Sequence, residues 1–179
     1  NLKKFKYLDN FFTIDYPSVL INNKLFINGN ITVQSPTNGL IVKLLNPLSD
    51  EKILDLCAAP GGKTLNMSDA MNGSGQIISY DINSKRISLL ADNLNTCKIK
   101  NVKILTADLR KDALENSSKM ILDVPCLGTG TMAKNADLRW KKRIEDIDSL
   151  NNLQKLILNN CSKYLNFNGV IVYSTCSIE

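Results

Sequence analysis

The chain contains no histidine. That excludes serine–histidine and cysteine–histidine dyads and withdraws the commonest metal ligand. No apolar stretch reaches the roughly eighteen residues of a membrane span, and no signal-peptide pattern opens the sequence. Five cysteines, at 57, 97, 126, 161 and 176, lack the paired spacing of a zinc site, and their odd number argues against a disulfide framework. Reduced thiols in a metal-free, cytoplasmic protein fit this usage. A net charge of +5 is compatible with an anionic partner but too mild to establish one.

What remains is an ordinary globular composition, 44% apolar and 22% charged over 179 residues, enough for one domain with one core. The sequence opens on Asn1 rather than Met and stops at Glu179, just after an expected strand, so we read it as a fragment lacking sequence at both ends. We expect a lead-in segment over 1–30, a domain over 31–179 that is incomplete at its carboxyl end, and a monomer.

From residue 52 onward, strand and helix patterns alternate. Strands are expected over 52–57, 76–81, 102–107, 119–124 and 170–174. Helices are expected over 63–71, over 84–95 with Ser84 as cap, and over 145–165 with Gly169 as terminator. The strands are almost continuously apolar, which predicts an α/β fold with a largely parallel sheet covered by helices on both faces. Before this point the pattern is irregular. Asn22-Asn23 could turn a hairpin joining Val19-Leu20-Ile21 to Leu25-Phe26-Ile27, and residues 40–45 read as a short helix stopped by Pro47.

The first strand runs into Cys57-Ala58-Ala59-Pro60-Gly61-Gly62-Lys63-Thr64. Small residues there let a ligand approach the backbone and a helix amino terminus. Gly62-Lys63-Thr64 ends like a phosphate-binding loop, but that motif needs glycine where Cys57 stands. A dinucleotide fingerprint is absent from this turn. Gly128-Thr129-Gly130 resembles part of one but follows the wrong strand. Asp81 closes the second strand about twenty residues on, where a carboxylate accepts ribose hydroxyls. A nucleoside-bearing cofactor without a pyrophosphate clamp follows, which points to S-adenosylmethionine.

Two further segments, Asp123-Val124-Pro125-Cys126 and Tyr173-Ser174-Thr175-Cys176, each deliver a thiol to the carboxyl end of a strand, where open α/β sheets place their chemistry. Free cysteines are often small buried hydrophobes, and Cys97 and Cys161 are read that way. Spacing alone leaves open which of the other two thiols attacks a substrate.

Taken together, 55–64, 123–130 and 173–177 resemble the motifs of the RNA 5-methylcytosine methyltransferases, the Sun/NOL/NOP family. Asp137-Leu138-Arg139-Trp140, Glu145-Asp146-Ile147 and Leu153-Gln154 are similar to its bacterial 16S ribosomal RNA branch, the RsmB type. The resemblance implies a Rossmann-like S-adenosylmethionine-dependent methyltransferase fold, here truncated at the carboxyl end. It implies that Cys57, Ala58, Ala59, Pro60, Gly61, Gly62 and Lys63 hold the methionine and ribose of the cofactor. Asp81 and Arg86 would serve the ribose, Asp108 would face the adenine, and Asp123 would lie between cofactor and target base. It further implies Cys176 as nucleophile, with Cys126 assisting product release.

The chemistry accounts for two thiols. Carbon 5 of cytosine attacks a methyl group only after a thiolate has added to carbon 6. An acid beside the ring nitrogen, for which Asp123 is the candidate, stabilises the charge that develops there. Arg139, Lys141 and Lys142 flank Trp140 just ahead of a helix that opens on Glu145 and Asp146. Cations at a helix amino terminus oppose its dipole, so phosphate contact is the expectation, with Trp140 either stacking on RNA or packed in the core. Ser35-Pro36, where the family carries an acid, and Lys134-Asn135-Ala136 depart from the pattern and bear on substrate identity. The expected substrate is small-subunit ribosomal RNA. The alternatives are transfer RNA, or a cofactor- or RNA-binding module without turnover.

Overall fold

The computed structural model describes residues 2–133, 135–141 and 143–177; within these, the side chain of Arg139 is not described. Its centre is a five-stranded sheet of β3 (Lys52–Leu56), β4 (Gln76–Asp81), β5 (Val102–Thr106), β6 (Ser117–Asp123) and β7 (Leu165–Ser174). The order is β5-β4-β3-β6-β7, and every pairing is parallel. The chain passes from β3 to β4 in one direction and later returns to β6 on the other side. The carboxyl end of β3 is therefore the switch point, where a crevice opens in such sheets.

The strand sequences are apolar without alternation because both faces are covered. Ile53, Ile77 and Ile121 pack with Val42 and Leu45 of α2 (Pro36–Leu45) and with Met67 of α3 (Gly62–Ala70). Leu54, Leu56, Met120 and Leu122 face the opposite way, onto Ile157 and Cys161 of α6 (Glu145–Cys161). Each of these leucines is fully buried and contributes about 1.5–3 kcal/mol. The third cluster sets Leu90 and Leu94 of α4 (Ser84–Thr96) beneath Ala58 and Ala59. In the register of β6 on β7, Asp123 stands opposite Ser174.

Several sequence expectations need correction. No hairpin forms at Asn22-Asn23. The two-stranded ribbon joins β1 (Leu2–Lys4) to β2 (Phe12–Ile14), followed by a 3-10 turn over Pro17–Leu20 and a single helical turn, α1 (Lys24–Ile27). The side chain of Asn23 accepts from the Leu25 N–H at 2.9 Å and starts that turn, while Val19, Ile21, Leu25 and Ile27 stay exposed with no sheet face to fill. Asn83, not Ser84, caps α4, accepting from the Arg86 N–H at 3.1 Å. Helix α6 ends at Cys161, and the next residues tighten into a 3-10 turn. Gly169 lies inside β7 rather than before it.

Candidate active site

Strand β3 ends at Leu56, and Cys57 takes a positive φ of 63° to lead the chain off the sheet. The Ala58 N–H donates to the Tyr80 carbonyl at 3.0 Å, so the loop starts on the neighbouring strand. Gly61, at φ 104°, forms the cap of α3; a Cβ there would lie 2.5 Å from Leu90 Cδ1. At Gly62 a Cβ would meet the Asn38 amide nitrogen at 2.9 Å. Only glycine fits both the turn and its close packing.

Asp81 is buried. Its carboxylate accepts the Ala59 N–H at 3.2 Å and the Asn83 N–H at 3.0 Å, and lies 3.7 Å from the Arg86 guanidinium. Arg86 also donates to the Ala59 carbonyl. Asn93 donates to the Pro60 carbonyl at 2.8 Å. Asp81 and Arg86 thus hold the loop in shape.

A cavity of about 600 Å³ lies against this loop. Its wall includes Cys57, Ala58, Ala59, Pro60, Gly62 and Lys63, together with Asp55, Asp123, Gln34 and Asn38. Phe26, Ile31 and Val33 close it from the side of the lead-in segment. Its volume suits a ligand of nucleoside size. Asp81, Arg86 and Asp108 do not line it. Asp108, beyond β5, is instead gripped by Arg110 at 2.8 and 2.7 Å, which brings its carboxyl down to about 2.

Beside the cavity, Lys63 Nζ donates to Asp123 Oδ2 at 2.6 Å and Ser174 Oγ donates to Asp123 Oδ1 at 2.7 Å. Two donors, one on each oxygen, fix the orientation of this carboxyl group. Asp55 is fully buried; one oxygen accepts from Thr64 Oγ1 at 2.5 Å, and Oδ1 has no partner among the described residues. Burial pushes its carboxyl up to about 6.

The two thiols meet. Cys126 Sγ and Cys176 Sγ lie 2.8 Å apart, delivered by β6 and β7 from fifty residues' separation. The loops carrying them are stitched together: the Gly130 N–H donates to the Cys176 carbonyl at 2.8 Å and the Gly128 N–H to Ser177 Oγ at 2.9 Å. A Cβ on Gly130 would sit 2.7 Å from the Cys176 oxygen. Burial raises the Cys126 thiol, but hydrogen bonds from Cys176, Thr175 and Ser177 outweigh it and hold the thiol below its ordinary value. Burial, then the hydrogen bond to Cys126 and the charges of Cys126 and Asp123, push Cys176 up to about 11. Of the two thiols, Cys126 is thus the more acidic. Cys57 and Cys161 are pushed up by burial to about 12 and about 11, as inert thiols are.

The basic segment stands apart. Trp140, on the short α5 (Leu138–Lys141), is 89% exposed, so packing in the core is ruled out. Lys141 pairs with Asp137 at 2.5 Å. Lys134 and Lys142 lie outside the described residues, and so does the side chain of Arg139. Asp55, Thr64 and Ser174 were missed as site residues by sequence reasoning. The Asp55–Thr64 pair spans only nine positions and lies within the glycine-loop motif, so its spacing carried a signal.

A family model described as 16S rRNA methyltransferase RsmB/F matches residues 42–179. The ribosomal RNA small subunit methyltransferase B of Photorhabdus laumondii is 40% identical over 157 residues, covering 86% of this chain and 36% of that protein. A probable ribosomal RNA small subunit methyltransferase B of Bacillus subtilis is 30% identical, over 86% of this chain and 35% of its own length. The chain thus spans about a third of these relatives. Among solved structures, NSun6 from Pyrococcus horikoshii with SFG superposes with a TM-score of 0.81 at 30% identity, over 88% of this chain and 41% of that one. A methyltransferase homologue from the same organism gives 0.76 at 29%, over 88% and 50%.

Proposed function

The chain belongs to the RsmB/F family of 16S rRNA methyltransferases, and on that footing we propose that it methylates carbon 5 of cytosine in small-subunit ribosomal RNA through a covalent cysteine adduct. The observation that carries this reading is the 2.8 Å approach of Cys126 and Cys176 beside the Lys63–Asp123 pair. Packing alone gives no reason for two accessible sulfurs and a charged pair to converge on an open sheet edge.

S-adenosylmethionine, when bound, supplies the electrophilic methyl group. The wall of the cavity fits it: the glycine loop permits close backbone approach, and the half-exposed Asp123 brings a carboxylate to its cationic groups. The target base, unstacked from its RNA, meets the thiols from the open side. Cys176 gives its proton to Cys126 and adds to carbon 6, leaving an enamine whose carbon 5 is nucleophilic. The Lys63–Asp123 pair stabilises the charge at the ring nitrogen by moving a proton toward it. Once carbon 5 carries the methyl group, a water molecule takes the carbon 5 proton, the ring nitrogen returns its proton to the Lys63–Asp123 pair, and the ring expels the Cys176 sulfur, to which Cys126 returns a proton. The exposed Trp140 and Lys141 would contact the RNA in this reading.

A second reading exchanges the thiols. Cys126 is the more acidic of the two thiols, which favours it as the attacking group. Bisulfite sequencing of ribosomal RNA from cells with and without the full gene tests the function. Loss of one protected cytosine in the small-subunit RNA is expected, and an unchanged pattern overturns the proposal.

A further inference from the structure

Helix α6 carries one side chain that touches both thiol-bearing segments. The Gln154 amide nitrogen donates to the Pro125 carbonyl at 2.8 Å, and the Tyr173 hydroxyl donates to the Gln154 amide oxygen at 2.8 Å. Pro125 immediately precedes Cys126, and Tyr173 lies three residues before Cys176. A carbonyl can only accept, so the amide nitrogen must face Pro125 and the oxygen is left for the phenol. The orientation of the amide is therefore dictated by its partners.

From this we infer that Gln154 is a positioning residue that clamps the Cys126 loop to the end of β7 and so sets the approach of the two thiols. Proline has no N–H, so the Pro125 peptide can be tied down through its carbonyl alone. The anchor is firm. Over the next two helical turns of α6, Ile157 and Cys161 are buried in the core, and Asn160 donates to the carbonyls of Leu109 and Asp112 at 3.1 and 2.9 Å. Residues 154, 157 and 161 share one helix face, so Gln154 is the polar end of a stripe whose remainder is locked. A sulfur–sulfur hydrogen bond weakens quickly with displacement, and both the lowering of the Cys126 thiol and the raising of the Cys176 thiol draw on it.

The consequence for turnover rests on the cytosine-methylation reading; the consequence for the thiols does not. The test uses the full-length protein. Gln154→Leu removes both hydrogen bonds, Gln154→Glu sets a carboxylate against the Pro125 carbonyl, and Tyr173→Phe removes one arm. The measurement is the pH dependence of iodoacetamide alkylation at Cys126 without RNA, read by peptide mass spectrometry, beside kcat, KM and the melting midpoint. In Gln154→Leu and Gln154→Glu the Cys126 alkylation midpoint should rise toward the ordinary thiol range. Their kcat should fall about tenfold to a hundredfold, with KM for cofactor and RNA within about twofold. Tyr173→Phe should shift both in the same direction by less. An alkylation profile in Gln154→Leu identical to that of the parent overturns the inference. Should that variant fail to fold, an unshifted profile in Gln154→Glu overturns it equally. A parent whose alkylation responds to Gln154 but which methylates no cytosine would overturn the functional reading and leave the clamp standing.

Discussion

The two halves of the catalytic edge are built in opposite ways. At the ends of β3 and β4, the Asp81 carboxylate is buried and occupied by backbone donors, the glycine loop is packed on Leu90, and Cys57 is an inert thiol. At the ends of β6 and β7, side chains from distant segments meet one another, the sulfurs are accessible, and their protons are unequally shared. In the proposed reaction the first half would be a preformed mould for a ligand that recurs each cycle, and the second would supply the groups that make and break bonds. The same residue type at the same sheet edge thus serves as filler or as reagent according to what donates to its sulfur.

That contrast can be broken by substitution. The largest effect is expected at the thiols: Cys176→Ala should abolish methylation and covalent trapping of 5-fluorocytosine RNA, whereas Cys126→Ala should accumulate a protein–RNA adduct on gels. The reverse pattern would assign attack to Cys126. Next comes Asp55. Its folded carboxyl titrates near 6 against an unfolded value near 3.8, so the ionised form is penalised. The stability it contributes is present in full below about pH 4 and is lost as pH rises to about 6, on the order of 3 kcal/mol. Asp55→Asn should remove this slope, and urea titrations of variant and parent should diverge by that amount between pH 4 and 6. Parallel curves would refute the burial argument. Gly61→Ala should cost about 1–3 kcal/mol, since it forces a side chain into positive φ and onto Leu90, and should weaken S-adenosylhomocysteine binding in calorimetry. The smallest effect belongs to Lys141→Glu: a fewfold loss of RNA affinity and a salt slope shallower by about one, with cofactor binding unchanged. An unchanged slope would remove Lys141 from the RNA surface.

The same contrast explains what could be read in advance. Strands such as 76–81 and helices such as α4 announce themselves because buried parallel strands are unbroken apolar runs and Leu90 and Leu94 repeat at helical spacing. The lead-in segment misled because triplets such as Val19-Leu20-Ile21 look like strands but bury nothing, and one Asn23 side chain decides their conformation. Gly169 misled because β7 continues through it. The glycine loop and both thiols were visible, since each is a contiguous motif. The partnership of Lys63 with Asp123, the support from Ser174 and the reach of Gln154 were not. They arise from strand register and from which face of α6 meets the sheet, which no local spacing encodes.

The alignment of Asp123 with Ser174 across two parallel strands has an evolutionary corollary. Side chains on a strand point alternately up and down, so adding or deleting one codon between 170 and 174 would turn Ser174 away and carry Cys176 to the wrong side of the edge. Substitutions along β7 can be absorbed one at a time, but a change of length there cannot. This short stretch is where the number of codons and the reach of a sulfur atom are the same constraint.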